Sequence, residues 1–233
     1  MEFVLNKERV EVLGIDADTT VLNLLRQKGL VGTKEGCASG DCGACTVMVG
    51  AASAAGGQIE YKTINACIAL AGSLAGKHVV TVEGLQNGTE LHPAQRFMVE
   101  HHASQCGYCT PGFVMSLANL VEEQIGSDQT GENLSEIVIT GISGNLCRCT
   151  GYRPIVDAGV SALAARRPPS VCHDEAREFL QNYKRGYDRE QDIADGNYHR
   201  PRCLEDLDRL VGVHGNQYLV AGATDFGLEI TQR

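Results

Sequence analysis

Cys37, Cys42, Cys45 and Cys67 follow the pattern C-x4-C-x2-C…C, and Cys106, Cys109, Cys147 and Cys149 follow C-x2-C…C-x-C. Eight thiols in two sets of four point to metal chemistry. The first spacing is one that holds a [2Fe–2S] cluster. Three of its thiolates lie on one loop, which must wrap a compact Fe2S2 rhomb. That loop reads Gly36-Cys37-Ala38-Ser39-Gly40-Asp41-Cys42-Gly43-Ala44-Cys45. Its small residues let the backbone curl close and aim amide N–H groups at sulfur. Cys67 closes the set from a separate segment.

In the second set, Cys109 just precedes Thr110-Pro111, and Cys147 and Cys149 precede Pro154, so each pair stands near an expected helix start. The positive end of a helix favours thiolate over thiol. Gly107, Gly112, Gly144 and Gly151 permit tight turns around these cysteines. A zinc site is the alternative for either set. The close C-x-C pair and the long span between pairs argue against zinc in the second, and the two sets together are more specific than either alone. Cys172 and Cys203 read as ordinary thiols. The seven histidines show no ligand spacing, and the adjacent His101 and His102 read as a solvated helix surface. Arg148, between two candidate ligands, either tunes a bound cluster or pairs with a carboxylate. Nothing resembles a nucleophile with its base, a carboxylate pair or a phosphate-binding P-loop, so the chain offers no substrate chemistry of its own.

Elements must position these cysteines. Phe3–Asn6 and Arg9–Val12 read as a hairpin. Thr20 can cap a short helix with Val21, Leu24 and Leu25, which Gly29 ends. Thr46–Val49 and Ile59–Lys62 read as strands joined by the loop Gly50–Gly57, and His78–Val82 as a last strand. Residues 1–85 are thus expected to form a small α+β domain. Residues 86–166 read as helical, with starts at Pro93, Thr110-Pro111, Ser135 and Pro154, and a bundle of four helices is expected. An apolar face of Phe113, Leu117, Leu120 and Val121 supports the second helix. Residues 167–200, opening on Arg166-Arg167-Pro168-Pro169, read as a charged linker with a helix around Asp174–Lys184. From Pro201, Leu204, Leu207 and Leu210 or Val211 form a helical stripe, Tyr218–Ala221 reads as a strand, and Gly222-Ala223-Thr224-Asp225 as a turn into a helix. Some thirty residues cannot build an independent core.

The 233 residues carry a net charge of −9, which argues against nucleic acid as a partner. No apolar run is long enough to span a membrane, and the start, MEFVLNKERVEV, lacks the pattern of a cleaved signal, so the expected compartment is the cytoplasm. Ten cysteines there suit metal binding better than disulfides.

The stretches Thr33–Cys37, Gly40–Cys45, Gln105–Gly112 and Gly144–Tyr152 resemble the iron–sulfur part of the molybdenum hydroxylases, a family that includes xanthine dehydrogenase, aldehyde oxidase and carbon monoxide dehydrogenase. The resemblance runs through about residue 165. It implies a β-grasp, plant-type ferredoxin-like domain over 1–85, then a helical [2Fe–2S] domain over 86–166. After the linker, Tyr198–Pro201 and Leu219–Gly227 resemble the start of the α/β FAD-binding domain in small subunits of the bacterial xanthine dehydrogenase type, incomplete here over 201–233. By that resemblance Val220, Ala221, Gly222, Ala223, Thr224 and Asp225 form the loop that contacts the FAD pyrophosphate, and Gln105 approaches the pterin. It further implies a partner large subunit holding molybdopterin, with electrons passing from it through the second cysteine set to the first. From there they go towards FAD and NAD in purine catabolism, the remaining FAD domain or another flavoprotein serving as acceptor. The alternatives are a stand-alone ferredoxin-like electron carrier and the small subunit of a hydroxylase acting on an aldehyde or another N-heterocycle.

Overall fold

The computed structural model describes residues 1–53, 59–123, 133–165, 171–185, 192–193, 198–201, 203–215 and 218–232. The tip of the expected Gly50–Gly57 loop and the Arg166–Pro169 stretch lie outside them.

Strands β1 (Glu2–Leu5), β2 (Glu8–Glu11), β3 (Thr46–Ala52), β4 (Ile59–Asn65) and β5 (His78–Val80) form one sheet in the order β2-β1-β5-β3-β4. β1 and β5 run parallel and the other neighbours antiparallel. Asn6, at φ 57, lets a two-residue turn close the β1–β2 hairpin.

Side chains alternate across a strand, and this sheet buries both alternating sets. Phe3, Leu5, Val47, Val49 and Val79 face one side, where α1 (Val21–Gln27) covers them with Leu22, Leu24 and Leu25. The Thr20 hydroxyl caps α1 at Asn23, and Gly29, at φ +78, ends it. Val4, Met48, Tyr61 and Val80 face the other side and join the core of the helical unit.

That unit comprises α2 (Pro93–Glu100), α3 (Thr110–Glu123), α4 (Leu134–Gly141) and α5 (Arg153–Ala164). α2 starts with a capping box between His92 and Gln95. The expected Ser135 cap is replaced by Asn133, whose side chain accepts from Ser135 N; asparagine is as good a cap as serine and stands two residues earlier. The bundle is not self-contained. α3 buries residues all round, from Gly112 through Ala118 and again at Val121, because it lies between its sister helices and the sheet.

The stretch read as a linker contains α6 (Asp174–Arg185), and this helix is packed. Cys172, Ala176, Phe179 and Leu180 are buried against the same sheet face as Val4, Met48 and Tyr61. His173 Nε2 donates to the Asn6 carbonyl at 3.0 Å, and His78 Nε2 donates to the same oxygen at 2.7 Å. Residues 171–185 therefore strap the helical unit to the sheet.

Two short strands, β6 (Asp192–Ile193) and β7 (Tyr198–His199), pair before α7 (Leu204–His214) and α8 (Thr224–Thr231). The expected strand at Tyr218–Ala221 is irregular backbone with Tyr218 and Leu219 exposed; no described strand lies beside it to complete a ladder. Of the α7 stripe only Leu210 is buried. No described helix is long and apolar enough to cross a membrane.

Candidate metal centres

The two cysteine sets occupy two different kinds of scaffold. The first set lies on the loop between α1 and β3, with Cys67 just after β4. Cys45 and Cys67 are buried, Cys42 is half-buried and Cys37 is exposed. The loop needs its small residues. Ala38, Gly40 and Gly43 take φ values of 53, 80 and 68. A Cβ at Gly36 would lie 2.7 Å from Cys42 Sγ. The curl brings the amides of Ser39, Asp41 and Cys42 onto Cys37 Sγ at 3.4, 3.3 and 3.4 Å. Asn65 Nδ2 holds the loop from β4 by donating to Gly40 O at 2.7 Å.

The second set sits at helix starts. Cys106 and Cys109 precede or enter the first turn of α3, where Phe113 N donates to Cys109 O. Cys147 and Cys149 lie on the turn before α5. Gly151 and Tyr152, at φ 68 and 67, reverse the chain there. The Tyr152 hydroxyl accepts from Cys147 N at 2.9 Å, and its ring meets Phe113 edge-on. Thr150 meets Cys147 Sγ twice, through its amide at 3.5 Å and its hydroxyl at 3.1 Å.

Cys45 and Cys67 have their sulfurs 3.3 Å apart. Cys42 acts electrostatically on Cys37, Cys149 on Cys106, and Cys147 on Cys109. A binuclear iron cluster takes two thiolates on each iron, so sulfurs that neighbour one another in twos fit it. They need not converge on one point, and among the described residues no three His, Cys, Asp or Glu side chains do.

Electrostatics follow the pairing. The bond from Cys67 holds Cys45 towards thiolate, while its role as donor and its burial push Cys67 up. Burial works against the Cys37 thiolate, yet the bonds from Ser39 and Cys42 outweigh it and bring Cys37 down to about 6. In the second set the Tyr108 amide and then Cys149 lower Cys106, and the interaction with Cys106 raises Cys149. Burial and then Cys147 push Cys109 up to about 12. Burial also opposes ionisation of Cys147, but Thr150 lowers it.

The sets are joined at one seam. Asn145, buried, donates from Nδ2 to Gly43 O at 2.9 Å and to Thr46 Oγ1 at 3.3 Å, and accepts from Ser116 Oγ at 2.7 Å. A Cβ on Gly112 would lie 2.1 Å from Gly43 O, so α3 reaches the first loop only as glycine. Tyr108 donates its hydroxyl to Glu35 O across the same seam. Sequence reasoning passed over Asn145; the asparagine between Gly144 and Leu146, two residues before a candidate ligand, was the available signal.

The remaining residues singled out in the sequence stand as follows. Gln105 is exposed beside Cys106. Arg148 is exposed, and no ion pair among the described residues includes it. His101 is half-buried and bonds Ser161 at 2.8 Å, so only His102 is a solvated surface residue. Cys172 is buried in the strap, and Cys203 caps α7 through Asp206 N. The stretch Val220–Asp225 lies apart from both sets along the chain and runs into α8, with Gly222 and Ala223 at φ 78 and 64. Beside it is a cavity of about 450 Å³ between α7 and the irregular stretch.

A five-stranded sheet with one looped cysteine set, packed on helices carrying a second, defines a two-centre iron–sulfur protein of the electron-transfer class. Residues 3–72 match the 2Fe-2S iron-sulfur cluster binding domain, and residues 81–159 match the [2Fe-2S] binding domain. The chain is 41% identical over 177 residues to xanthine dehydrogenase of Blastobotrys adeninivorans, covering 76% of this chain and 12% of that protein. It is 41% identical over 184 residues to aldehyde oxidase 4 of Cavia porcellus, covering 76% of this chain and 13% of that protein. Among solved structures, a chain of quinoline 2-oxidoreductase from Pseudomonas putida 86 matches with a TM-score of 0.57 and 32% identity, over 76% of this chain and 94% of that one. The chain belongs to the iron–sulfur electron-transfer part of the molybdenum hydroxylase family. It spans about an eighth of the length of the curated relatives it matches.

Proposed function

We propose that Cys37, Cys42, Cys45 and Cys67 hold one [2Fe–2S] cluster and Cys106, Cys109, Cys147 and Cys149 the other, in the iron–sulfur subunit of a xanthine dehydrogenase. The observation that carries the cluster assignment is the glycine-rich loop that aims the Ser39, Asp41 and Cys42 amides at Cys37 Sγ, beside Cys45 and Cys67 with their sulfurs 3.3 Å apart. Each cluster, when bound, accepts and releases one electron at a time, which suits a relay between a two-electron hydroxylation and a flavin. The chain's residues place the two centres, supply amide and hydroxyl donors to their sulfurs, and fix their separation through the Asn145 seam.

In this reading the second set faces a partner subunit that holds molybdopterin, with Gln105 on that side. The first set passes electrons towards FAD and then NAD, with Val220–Asp225 contributing to the pyrophosphate contact. That loop supports the flavin part through its two left-handed residues at the entry to a helix N-terminus. The domain limits at 85, 166 and 200 follow the same reading, as does a cytoplasmic setting. Xanthine as substrate rests on likeness to xanthine dehydrogenases. The similar identity to an aldehyde oxidase and the match to quinoline 2-oxidoreductase favour, as a second reading, a hydroxylase of aldehydes or other N-heterocycles.

The test is purification of the chain from its host with its bound partners, followed by assay with xanthine and NAD⁺, an aldehyde, and quinoline. A molybdenum-containing partner and xanthine-dependent NAD⁺ reduction are expected. Activity confined to aldehyde or quinoline selects the second reading. A chain that binds no molybdenum protein and exchanges electrons freely with unrelated reductases would be a stand-alone carrier.

A further inference from the structure

The amides that meet Cys37 Sγ belong to peptide groups, and two of those groups are gripped at their other end. The Gly40–Asp41 peptide sends its N–H to Cys37 Sγ at 3.3 Å while its carbonyl accepts from Asn65 Nδ2 at 2.7 Å. The Ala38–Ser39 peptide sends its N–H to the same sulfur at 3.4 Å while its carbonyl accepts from Thr231 Oγ1 at 2.7 Å. Asn65 comes from the strand next to the loop. Thr231 comes from α8, 193 positions away in sequence.

Two further observations make this contact more than a chance touch. Ala38 sits at φ 53, a region that residues other than glycine seldom adopt, so its conformation needs outside support. α8 is seated on the first set rather than loosely beside it. Its Gly227 lies so close that a Cβ would stand 2.5 Å from the carbonyl oxygen of Ile68, the residue after Cys67. Leu228 packs against the core that contains Cys45 and Cys67. One eight-residue helix, about 12 Å long, therefore touches both loops that supply the first set.

We infer that Thr231 is a positioning residue for the first centre: its hydroxyl orients and polarises the Ala38–Ser39 peptide, strengthens the Ser39 N–H bond to the Cys37 sulfur, and so raises the ease with which that centre is reduced. The inference rests on the reading that the first set holds a [2Fe–2S] cluster. Hydrogen bonds in series polarise one another, and N–H groups aimed at ligand sulfur stabilise the more negative, reduced form. Reduction here adds one electron from the titrant and makes or breaks no bond. Because α8 begins within the Val220–Asp225 stretch, the same helix couples the proposed flavin loop to the proposed electron donor.

The experiment is a dithionite titration of the full chain loaded with iron and sulfide, followed by electron paramagnetic resonance. It is done in a Cys109→Ala background, so that only the first set gives a signal. Thr231→Val removes the hydroxyl and keeps the shape; Thr231→Ser keeps the hydroxyl. Asn65→Leu, which frees the neighbouring peptide, is expected to shift the midpoint in the same direction. Thr231→Val is expected to keep its iron and to shift the midpoint negative, by up to about tenfold in the equilibrium, or ~59 mV for a one-electron couple. Thr231→Ser is expected to titrate with the parent. A Thr231→Val midpoint equal to the parent's overturns the inference alone, as does a Thr231→Ser shift as large as that of valine. A parent that never shows a first-set signal overturns the cluster reading and this inference with it.

Discussion

The Leu146 amide donates to the Cys42 carbonyl at 2.9 Å. Cys42 belongs to the first cysteine set and Leu146 directly precedes Cys147 of the second. One hydrogen bond thus closes a short backbone path between the two proposed centres, and Asn145 locks it by holding Gly43 O from the adjacent residue.

Asn145→Ala removes the donor to Gly43 O and Thr46 and strips Ser116 of its acceptor, all in a buried seam. A loss of about 1–3 kcal/mol is expected, seen as a lower denaturant midpoint with both sets still loaded with iron. A midpoint equal to wild type would show that the seam does not hold the units together.

Leu180 is 1% exposed and fills the sheet face through the strap. Leu180→Ala is expected to destabilise the chain by about 2–5 kcal/mol. If residues 167–200 acted only as a spacer, the substitution would leave unfolding unchanged, and urea titration separates the two results.

His78 is fully buried, its Nδ1 accepting from the Tyr61 hydroxyl and its Nε2 donating to Asn6 O. Burial, with the neighbouring His173, lowers it from 6.5 to about 4. The unfolded chain takes up this proton near pH 6.5, whereas the folded chain resists until about 4, so stability is lost as pH falls through that window. The gap corresponds to about 3 kcal/mol. His92, also lowered to about 4 by burial, adds to the same trend. His78→Gln should flatten the slope of unfolding free energy between pH 6.5 and 4.5, whereas an unchanged slope would place the proton uptake elsewhere.

What sequence could and could not convey follows from the range of the interactions. The loop from Gly36 to Cys45, the Thr20 cap, the Gly29 stop and the Pro93 start are local, and each stands where its residue types place it. The burial of α6 was less legible because its charged face dominates the composition, while Ala176, Phe179 and Leu180 make a narrow apolar stripe. Tyr218–Ala221 has strand composition, yet a strand exists only beside another. Asn145 and Thr231 act across 102 and 193 positions; the place of Asn145 beside Cys147 hints at its role, but nothing in the immediate sequence of Thr231 marks it.

Whether the eight cysteines hold two binuclear centres is decided by counting iron and acid-labile sulfide per chain. About four of each are expected in the parent, and about two of each in both Cys45→Ala and Cys109→Ala. Zinc in place of iron, or about two irons in the parent, would contradict the two-centre assignment.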